Sequence, residues 1–115
     1  MKKNKTAELL QGALELLVLR LLRTRPLNGW DMMRRLQLAS GEVLTVTAGS
    51  LYPALHRLEA KGYLENEWGM TETNREAKFY QLTAVGRKHL NKEIARWRDY
   101  SRIMTAALAA SKTGA

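Results

Sequence analysis

The fold is decided by residues 47–64, which read TAGSLYPALHRLEAKGYL. Leu51, Leu55 and Leu58 recur here at spacings of four and three, as residues on one face of a helix do. This apolar stripe predicts the side of the helix that packs on the core. Thr47 stands just before the helical pattern and has the side-chain oxygen of an N-cap residue. The stretch therefore predicts a helix that begins next to Thr47.

The opposite face of this helix is a candidate DNA-contacting surface. Small residues would let the helix approach a groove closely, and polar side chains could donate to base edges or phosphates. Pro53 requires either that the regular helix start near Ser50 or that a kink be tolerated. A merely solvated polar face is the alternative interpretation. The surface consists of Gly49, Ser50, Tyr52, Pro53, His56, Arg57 and Ala60.

The N-terminal part of the chain predicts two helices with a break between them. Residues 6–22 are apolar on almost every side, so this helix must be covered on more than one face, and we expect a partner subunit to cover the second. Residues 25–29 interrupt the pattern, and residues 29–39 predict the second helix. Residues 43–46 suffice for no more than a small strand. The main stripe of the first helix is Leu10, Leu14, Leu17 and Leu21.

A β-hairpin is predicted after the central helix. Gly62 suits the position that ends a helix. Residues 63–68 and 78–83 are rich in aromatic and β-branched types, which favours strands. The polar residues 69–77 between them would form a long tip. We therefore expect a hairpin of the kind called a wing.

The last helix predicts a dimer. Thr83 can cap a helix over residues 84–110, and the tail after it should fray. Apolar residues alternate along this helix at spacings of four and three, which is typical of a coiled-coil seam. Because a helix that reaches past a small domain must bury such a stripe, we expect a homodimer. The seam consists of Leu90, Ile94, Trp97, Ser101, Met104 and Leu108.

Trp97 permits two interpretations. It can be a packing residue of the seam, as large buried aromatics usually are. Alternatively, the Trp97 side chains of both subunits line a cavity in which a flat apolar molecule stacks. Trp30 and Trp68 are predicted to be core or edge residues rather than site residues.

The element order predicts a mainly α protein with a small β-hairpin wing, which is an α+β fold. Helix, helix, short strand, helix, hairpin, helix is typical of a winged helix-turn-helix with a C-terminal extension. In that fold the third helix enters the major groove, and the wing reaches the backbone or the minor groove. We assign residues 1–83 to the DNA-binding domain and residues 84–115 to the dimerisation helix and tail.

The charge balance favours an anionic partner such as double-stranded DNA. The chain of 115 residues has 19 Lys and Arg against 11 Asp and Glu, a net charge of +8. Residues 47–83, however, carry four basic and five acidic side chains. We therefore expect phosphate attraction from an N-terminal arm and locally from the wing. The basic residues concerned are Lys2, Lys3, Lys5, Arg75 and Lys78.

The sequence lacks the residue patterns typical of enzymes, of metal or cofactor sites and of membrane proteins. Cysteine is absent, His56 and His89 are the only histidines, and no glycine-rich phosphate loop occurs, so we expect no enzyme, metal or cofactor. The longest apolar run near the N-terminus, residues 16–19, is too short for an export signal or a membrane span. This predicts a soluble cytoplasmic protein without a membrane partner.

Several motifs together resemble the PadR family of bacterial transcriptional regulators. Residues 49–64 resemble its recognition helix. Further similarity lies in LNGW at residues 27–30, WG at 68–69, NREAKFY at 74–80 and LTAVGR at 82–87. Each fragment is short, but the combination is specific and spans nearly the whole chain.

The resemblance implies a homodimeric repressor that binds a palindromic operator and is often released by a small molecule. Some members have a tryptophan in the C-terminal helix that lines a drug-binding pore between subunits, and Trp97 is at the similar position. Asn28 departs from the histidine common before the second helix. Because the chain has one C-terminal helix where larger members have a longer C-terminal domain, any effector, such as a small aromatic compound, would have to bind at the dimer interface. The implied DNA contacts are Ser50, Tyr52, Pro53, His56, Arg57, Asn74, Arg75 and Lys78.

One competing function stays open. The same fold can serve contacts with a protein or with structured RNA, without sequence-specific DNA binding, because a fold does not dictate a function.

Overall fold

The computed structural model describes residues 11–110, in which four helices pack on a small antiparallel sheet. The sheet contains β1 (Leu27–Asn28), β2 (Leu64–Met70) and β3 (Glu76–Leu82) in the order β1-β3-β2, and the hairpin of β2 and β3 is the wing. The predicted α+β class, a winged helix-turn-helix with a long last helix, is confirmed. In chain order the elements are α1 (Gln11–Leu21), β1 (Leu27–Asn28), α2 (Gly29–Ala39), α3 (Ala48–Ala60), β2 (Leu64–Met70), β3 (Glu76–Leu82) and α4 (Ala84–Ala110).

The core lies where the helices meet the sheet. The predicted inner stripe of α3 is confirmed, since Leu51 and Leu55 are 0% exposed and Leu58 is 1% exposed. Tyr80 of β3 and Leu90 of α4 are also fully enclosed. This packing fixes one face of α3 inside the domain and leaves the opposite face outside.

The main apolar stripe of α1 is only partly buried within one chain. Val18 and Leu19 are buried, whereas Leu17 is 37% exposed. Because nearly all positions of this helix are apolar, periodicity could not fix its rotation about its own axis. Leu10, like the lysine arm and the C-terminal tail, lies outside the described residues.

α3 begins at Ala48 and contains Pro53. The predicted cap is confirmed, because Oγ1 of Thr47 accepts a hydrogen bond from the N–H of Ser50 at 3.3 Å. A helix that starts near Ser50 is therefore the wrong alternative. Pro53 has no N–H to donate to the carbonyl of Gly49, one turn earlier, so one hydrogen bond is missing on the exposed side of the helix.

A tight turn joins α3 to the wing. Gly62 has φ +81°, the left-handed conformation that glycine adopts without strain. Its N–H donates to the carbonyl of Glu59 at 2.9 Å, and the N–H of Tyr63 donates to the carbonyl of Leu58 at 3.0 Å. This is a Schellman motif, and it confirms the predicted end of the helix at Gly62.

The wing strands are longer than predicted and the tip is shorter. β2 and β3 pair from Leu64 opposite Leu82 to Met70 opposite Glu76. The tip is therefore residues 71–75 instead of residues 69–77. The polar residues that suggested a loop are accommodated because the hairpin extends past the core into solvent.

The third strand of the sheet lies elsewhere than predicted. Residues 43–46 form no strand. The short strand is β1, which lies in the predicted break before α2 and pairs with β3 at Leu27 opposite Tyr80. Leu27 is 4% exposed, so this piece is held by burial as well as by pairing.

α4 extends beyond the domain. Its 27 residues correspond to about 40 Å, and the described part of the chain extends over 60 Å. The predicted cap is confirmed, since Oγ1 of Thr83 accepts from the N–H of Gly86 at 2.9 Å. None of the helices in the described residues combines the length and apolar character needed to cross a membrane.

Two sequence-based interpretations of large apolar side chains need correction. Trp30 and Trp68, predicted to be core or edge residues, are 66% and 64% exposed, so the core alternative is wrong, while Trp68 does lie on the edge strand β2. Leu90 was placed in the intersubunit seam, but its side chain is 0% exposed and packs inside its own chain. The alternating spacing begins one turn before α4 leaves the domain, which periodicity alone cannot reveal.

Candidate nucleic-acid interface

The centre of the outer face of α3 is small and open. Gly49, Pro53, His56 and Ala60 are all exposed. His56 is the only one of them whose side chain can hydrogen-bond. A surface of this shape can approach a base pair edge closely, and the B-DNA major groove is about 12 Å wide.

The flank of α3 that faces α1 contains two of the expected contact residues. Nε of Arg57 donates to Oε2 of Glu15 at 2.6 Å. Ser50 takes part in the helix cap, since the hydroxyl of Thr47 donates to Oγ of Ser50 at 3.3 Å. Sequence reasoning missed Glu15 because it is 42 residues away from Arg57 along the chain.

The other flank of α3 packs against the start of α2. A Cβ added to Gly29 would lie 2.2 Å from Oη and 2.7 Å from Cζ of Tyr52, so a larger residue here would require the Tyr52 ring to move. Tyr52 is still 37% exposed. Oδ1 of Asn28 caps α2 by accepting from the N–H of Asp31 at 2.9 Å. Tyr52 is therefore positioned by the first turn of α2, and Gly29 is a site residue that the sequence pattern did not identify.

A polar junction fixes the wing to the end of α3. Nδ2 of Asn66, on β2, donates to Oε2 of Glu59. Tyr80 lies in the central strand, and burial raises the pKa of its phenol, with the charges of Glu59 and Tyr52 acting in the same direction. The wing and the helix thus share one set of contacts, which keeps their relative orientation.

One face of the wing is turned toward α3. Alternate residues of paired strands point to the same side, so the pair Trp68 and Lys78 lies on the same side as the pair Asn66 and Tyr80. Nζ of Lys78 lies 5.9 Å from the centroid of the Trp68 ring, within cation–π range. Trp68 is a candidate contact residue that we did not predict.

The tip of the wing presents Asn74 and Arg75. Asn74 has φ +65°, and its N–H donates to the carbonyl of Thr71 at 2.9 Å. Asparagine tolerates this left-handed conformation better than most residues. Arg75 is exposed, and within the described chain it forms no ion pair. Asn74 has a conformational role in the turn, whereas the charge of Arg75 is available to a partner.

The outer half of α4 exposes aromatic and aliphatic side chains. Trp97 is 46% exposed, and its ring lies 6.2 Å from that of Tyr100. Met104 is 39% and Leu108 is 63% exposed, while Ser101 is half-buried. An open groove lies between α1 and α4, and Trp97 does not line it. The residues that line the groove are Arg20, Arg23, Asn91, Ile94, Ala95 and Arg98.

Comparison with known proteins identifies the family. The model of the PadR-like family of transcriptional regulators matches residues 18–92. A PadR family transcriptional regulator from Eggerthella lenta is 31% identical with a TM-score of 0.75, over 88% of this chain and 86% of that one.

Two further solved structures share the fold. A transcriptional regulator from Clostridium thermocellum has a TM-score of 0.77 at 22% identity, over 85% of this chain and 95% of that one. A PadR-like transcriptional regulator from Bacillus cereus has a TM-score of 0.76 at 23% identity, over 88% of this chain and 96% of that one. Because the family model covers more than half of its length, this chain belongs to the PadR-like family of transcriptional regulators.

Proposed function

We propose that this PadR-like chain is a sequence-specific DNA-binding regulator. α3 lies in the major groove, and the wing contacts the backbone or the minor groove. The observation that carries this proposal is the exposed small-residue face of α3, next to a wing that Glu59 and Asn66 fix to the same helix. Base contacts need such a preorganised, closely approaching surface.

The expected contacts divide into two groups. His56 and Arg57 read base edges, while Ser50 and Tyr52 donate to phosphate and Pro53 provides close contact. On the wing, the side chains of Asn74, Arg75 and Lys78 meet mainly phosphate and sugar.

The proposed active form is a homodimer through α4. The exposed apolar side chains from Trp97 onward continue the half-buried Ile94, so a second copy of the helix would cover them. A two-fold dimer matches a palindromic operator, in which half-sites lie one helical turn or a multiple apart. In this scheme residues 1–83 form the DNA-binding part and residues 84–115 the dimerisation part, and the dimer acts as a cytoplasmic repressor.

Trp97 is the proposed effector position. Its side chain is 46% exposed in one chain and lies outside the groove between α1 and α4. A planar aromatic molecule could stack between two copies of Trp97 at the dimer centre. Binding there would change the separation of the two recognition helices, so effector and DNA would oppose each other.

A footprint on the DNA upstream of the protein's own gene tests the proposal. We expect a protected, palindromic site that persists with excess competitor DNA at physiological salt. The acidic excess of residues 47–83 favours protein contacts as the competing function, because negative charge opposes contact with the phosphates of any nucleic acid. Protection that competitor DNA of any sequence removes equally well would support that alternative.

A further inference from the structure

The ion pair between α1 and α3 holds only the inner part of the Arg57 guanidinium. Nε of Arg57 donates to Oε2 of Glu15 at 2.6 Å, with the two side chains 37% and 19% exposed. A guanidinium has five N–H donors in a rigid plane, four of them on the two terminal nitrogens. Within residues 11–110 neither terminal nitrogen of Arg57 has a hydrogen-bond partner.

This geometry differs from that of an arginine that is simply neutralised. Arginine and a carboxylate that satisfy each other commonly form a bidentate pair. Here the carboxylate takes a single contact at Nε and stays the less exposed partner. The two terminal nitrogens lie side by side in one plane with their N–H donors unused, which is the arrangement that binds O6 and N7 of guanine or a phosphate.

We propose that Glu15 is a positioning residue for DNA recognition: it orients Arg57 so that its terminal nitrogens meet a base pair at the α1 side of α3. The proposal rests on the proposed DNA-binding function. An arginine side chain loses considerable rotamer freedom when it is fixed on DNA. Glu15 imposes much of that order before binding, so the cost at the moment of contact is lower.

In this proposal α1 influences sequence preference through Arg57, because Glu15 belongs to α1. α1 also packs on α4. Arg23, in the turn that follows α1, donates to Oδ1 of Asn91 at 3.2 Å. The orientation of Arg57 is thus linked through one helix to the element that we expect to form the dimer.

A selection of binding sites from randomised DNA tests the proposal. Full-length wild-type protein, Arg57→Ala, Glu15→Ala, Glu15→Gln and the double variant Glu15→Ala/Arg57→Ala would be compared. Arg57→Ala should lose preference at one base pair of each half-site by about 5- to 150-fold. Glu15→Ala should lose preference at that same base pair by up to about 30-fold, the rotamer entropy of arginine expressed as a ratio.

The variants have distinct expected outcomes. The double variant should match Arg57→Ala, because Glu15 acts only through Arg57. Glu15→Gln keeps the size and an acceptor for Nε, so its loss should be smaller than that of Glu15→Ala. Glu93→Gln is the matched control, since it removes an acid from the Glu93–Arg96 ion pair on α4, and its selected sites should equal those of wild type.

Several results would overturn the proposal. Glu15 variants with reduced thermal stability but wild-type base preference would assign the ion pair a purely structural role. Sharper base preference in Glu15→Ala would mean that Glu15 withholds Arg57 from DNA. Unchanged base preference in Arg57→Ala would show that Arg57 makes no specific base contact. A wild-type protein that selects no sequence would instead refute the proposed function.

Discussion

Replacing Gly86 with alanine should destabilise the protein although alanine is the better helix former. A Cβ at Gly86 would lie 2.0 Å from the carbonyl oxygen and 2.8 Å from the carbonyl carbon of Tyr63. Both are backbone atoms, so no side chain can move aside. The first turn of α4 would have to shift away from the start of the wing.

That shift would break identifiable contacts. The carbonyl of Tyr63 accepts from the N–H of Thr83 at 3.1 Å, and the Tyr63 ring stacks on His89 at 4.0 Å. Overpacking costs about 1–3 kcal/mol and a lost hydrogen bond about 1 kcal/mol. Alanine returns about 1 kcal/mol in helix propensity. We therefore expect the free energy of unfolding to fall by about 1–3 kcal/mol.

Gly12→Ala is the matched control. Gly12 also lies in a helix, but its added Cβ would meet no atom within 4 Å in the described structure. This variant should gain up to about 1 kcal/mol. Urea denaturation of both variants and wild type at one protein concentration would measure the difference, because a dimer's stability depends on concentration. A Gly86→Ala protein as stable as Gly12→Ala would refute the close contact between α4 and Tyr63.

Further predictions concern the wing, the buried phenol and the dimer helix. Arg75→Ala and Lys78→Ala should weaken binding to all DNA, and each should lower the slope of log affinity against log salt by about 0.9; a loss confined to cognate DNA in titrations would contradict phosphate contact. Because burial raises the pKa of Tyr80, the protonated phenol contributes to the stability of the folded state below pH 10.0. That contribution declines as the pH rises through the raised pKa. In denaturation measured above pH 10.0, Tyr80→Phe should lose less stability with pH than wild type, and equal slopes would argue against a shifted phenol. Trp97→Ala should weaken the dimer in sedimentation and abolish saturable quenching by planar aromatics. A stable dimer that still responds would place the effector elsewhere.

Features set by local chemistry could be predicted from the sequence. Thr47 and Thr83 cap helices because a hydroxyl beside free N–H groups needs no distant partner. Gly62 ends α3 because only the local backbone decides its positive φ. The face of α3 was also predictable, since its leucines alternate clearly with polar and small residues.

Features set by distant contacts could not be predicted. The rotation of α1 about its own axis depends on the elements that surround it. Leu17 and Val18 are both apolar, so the sequence pattern does not tell which of them is buried. The position of Leu90 in the core depends on where α4 leaves the domain. Glu15 and Gly29 act on Arg57 and Tyr52 across the fold, and no spacing rule joins them. The predicted contact residues on α3 and the wing remain predictions until DNA binding is measured.

The ratio of affinities for cognate and random DNA tests the central claim most directly. Fluorescence anisotropy titrations with a footprinted site and a scrambled duplex, at physiological salt, would give both dissociation constants. Sequence-specific regulators bind their sites about 10³-fold or more tighter than random DNA. We predict a ratio of at least about 10³, which His56→Ala lowers by about 5- to 150-fold. A wild-type ratio within about tenfold of one would contradict the account.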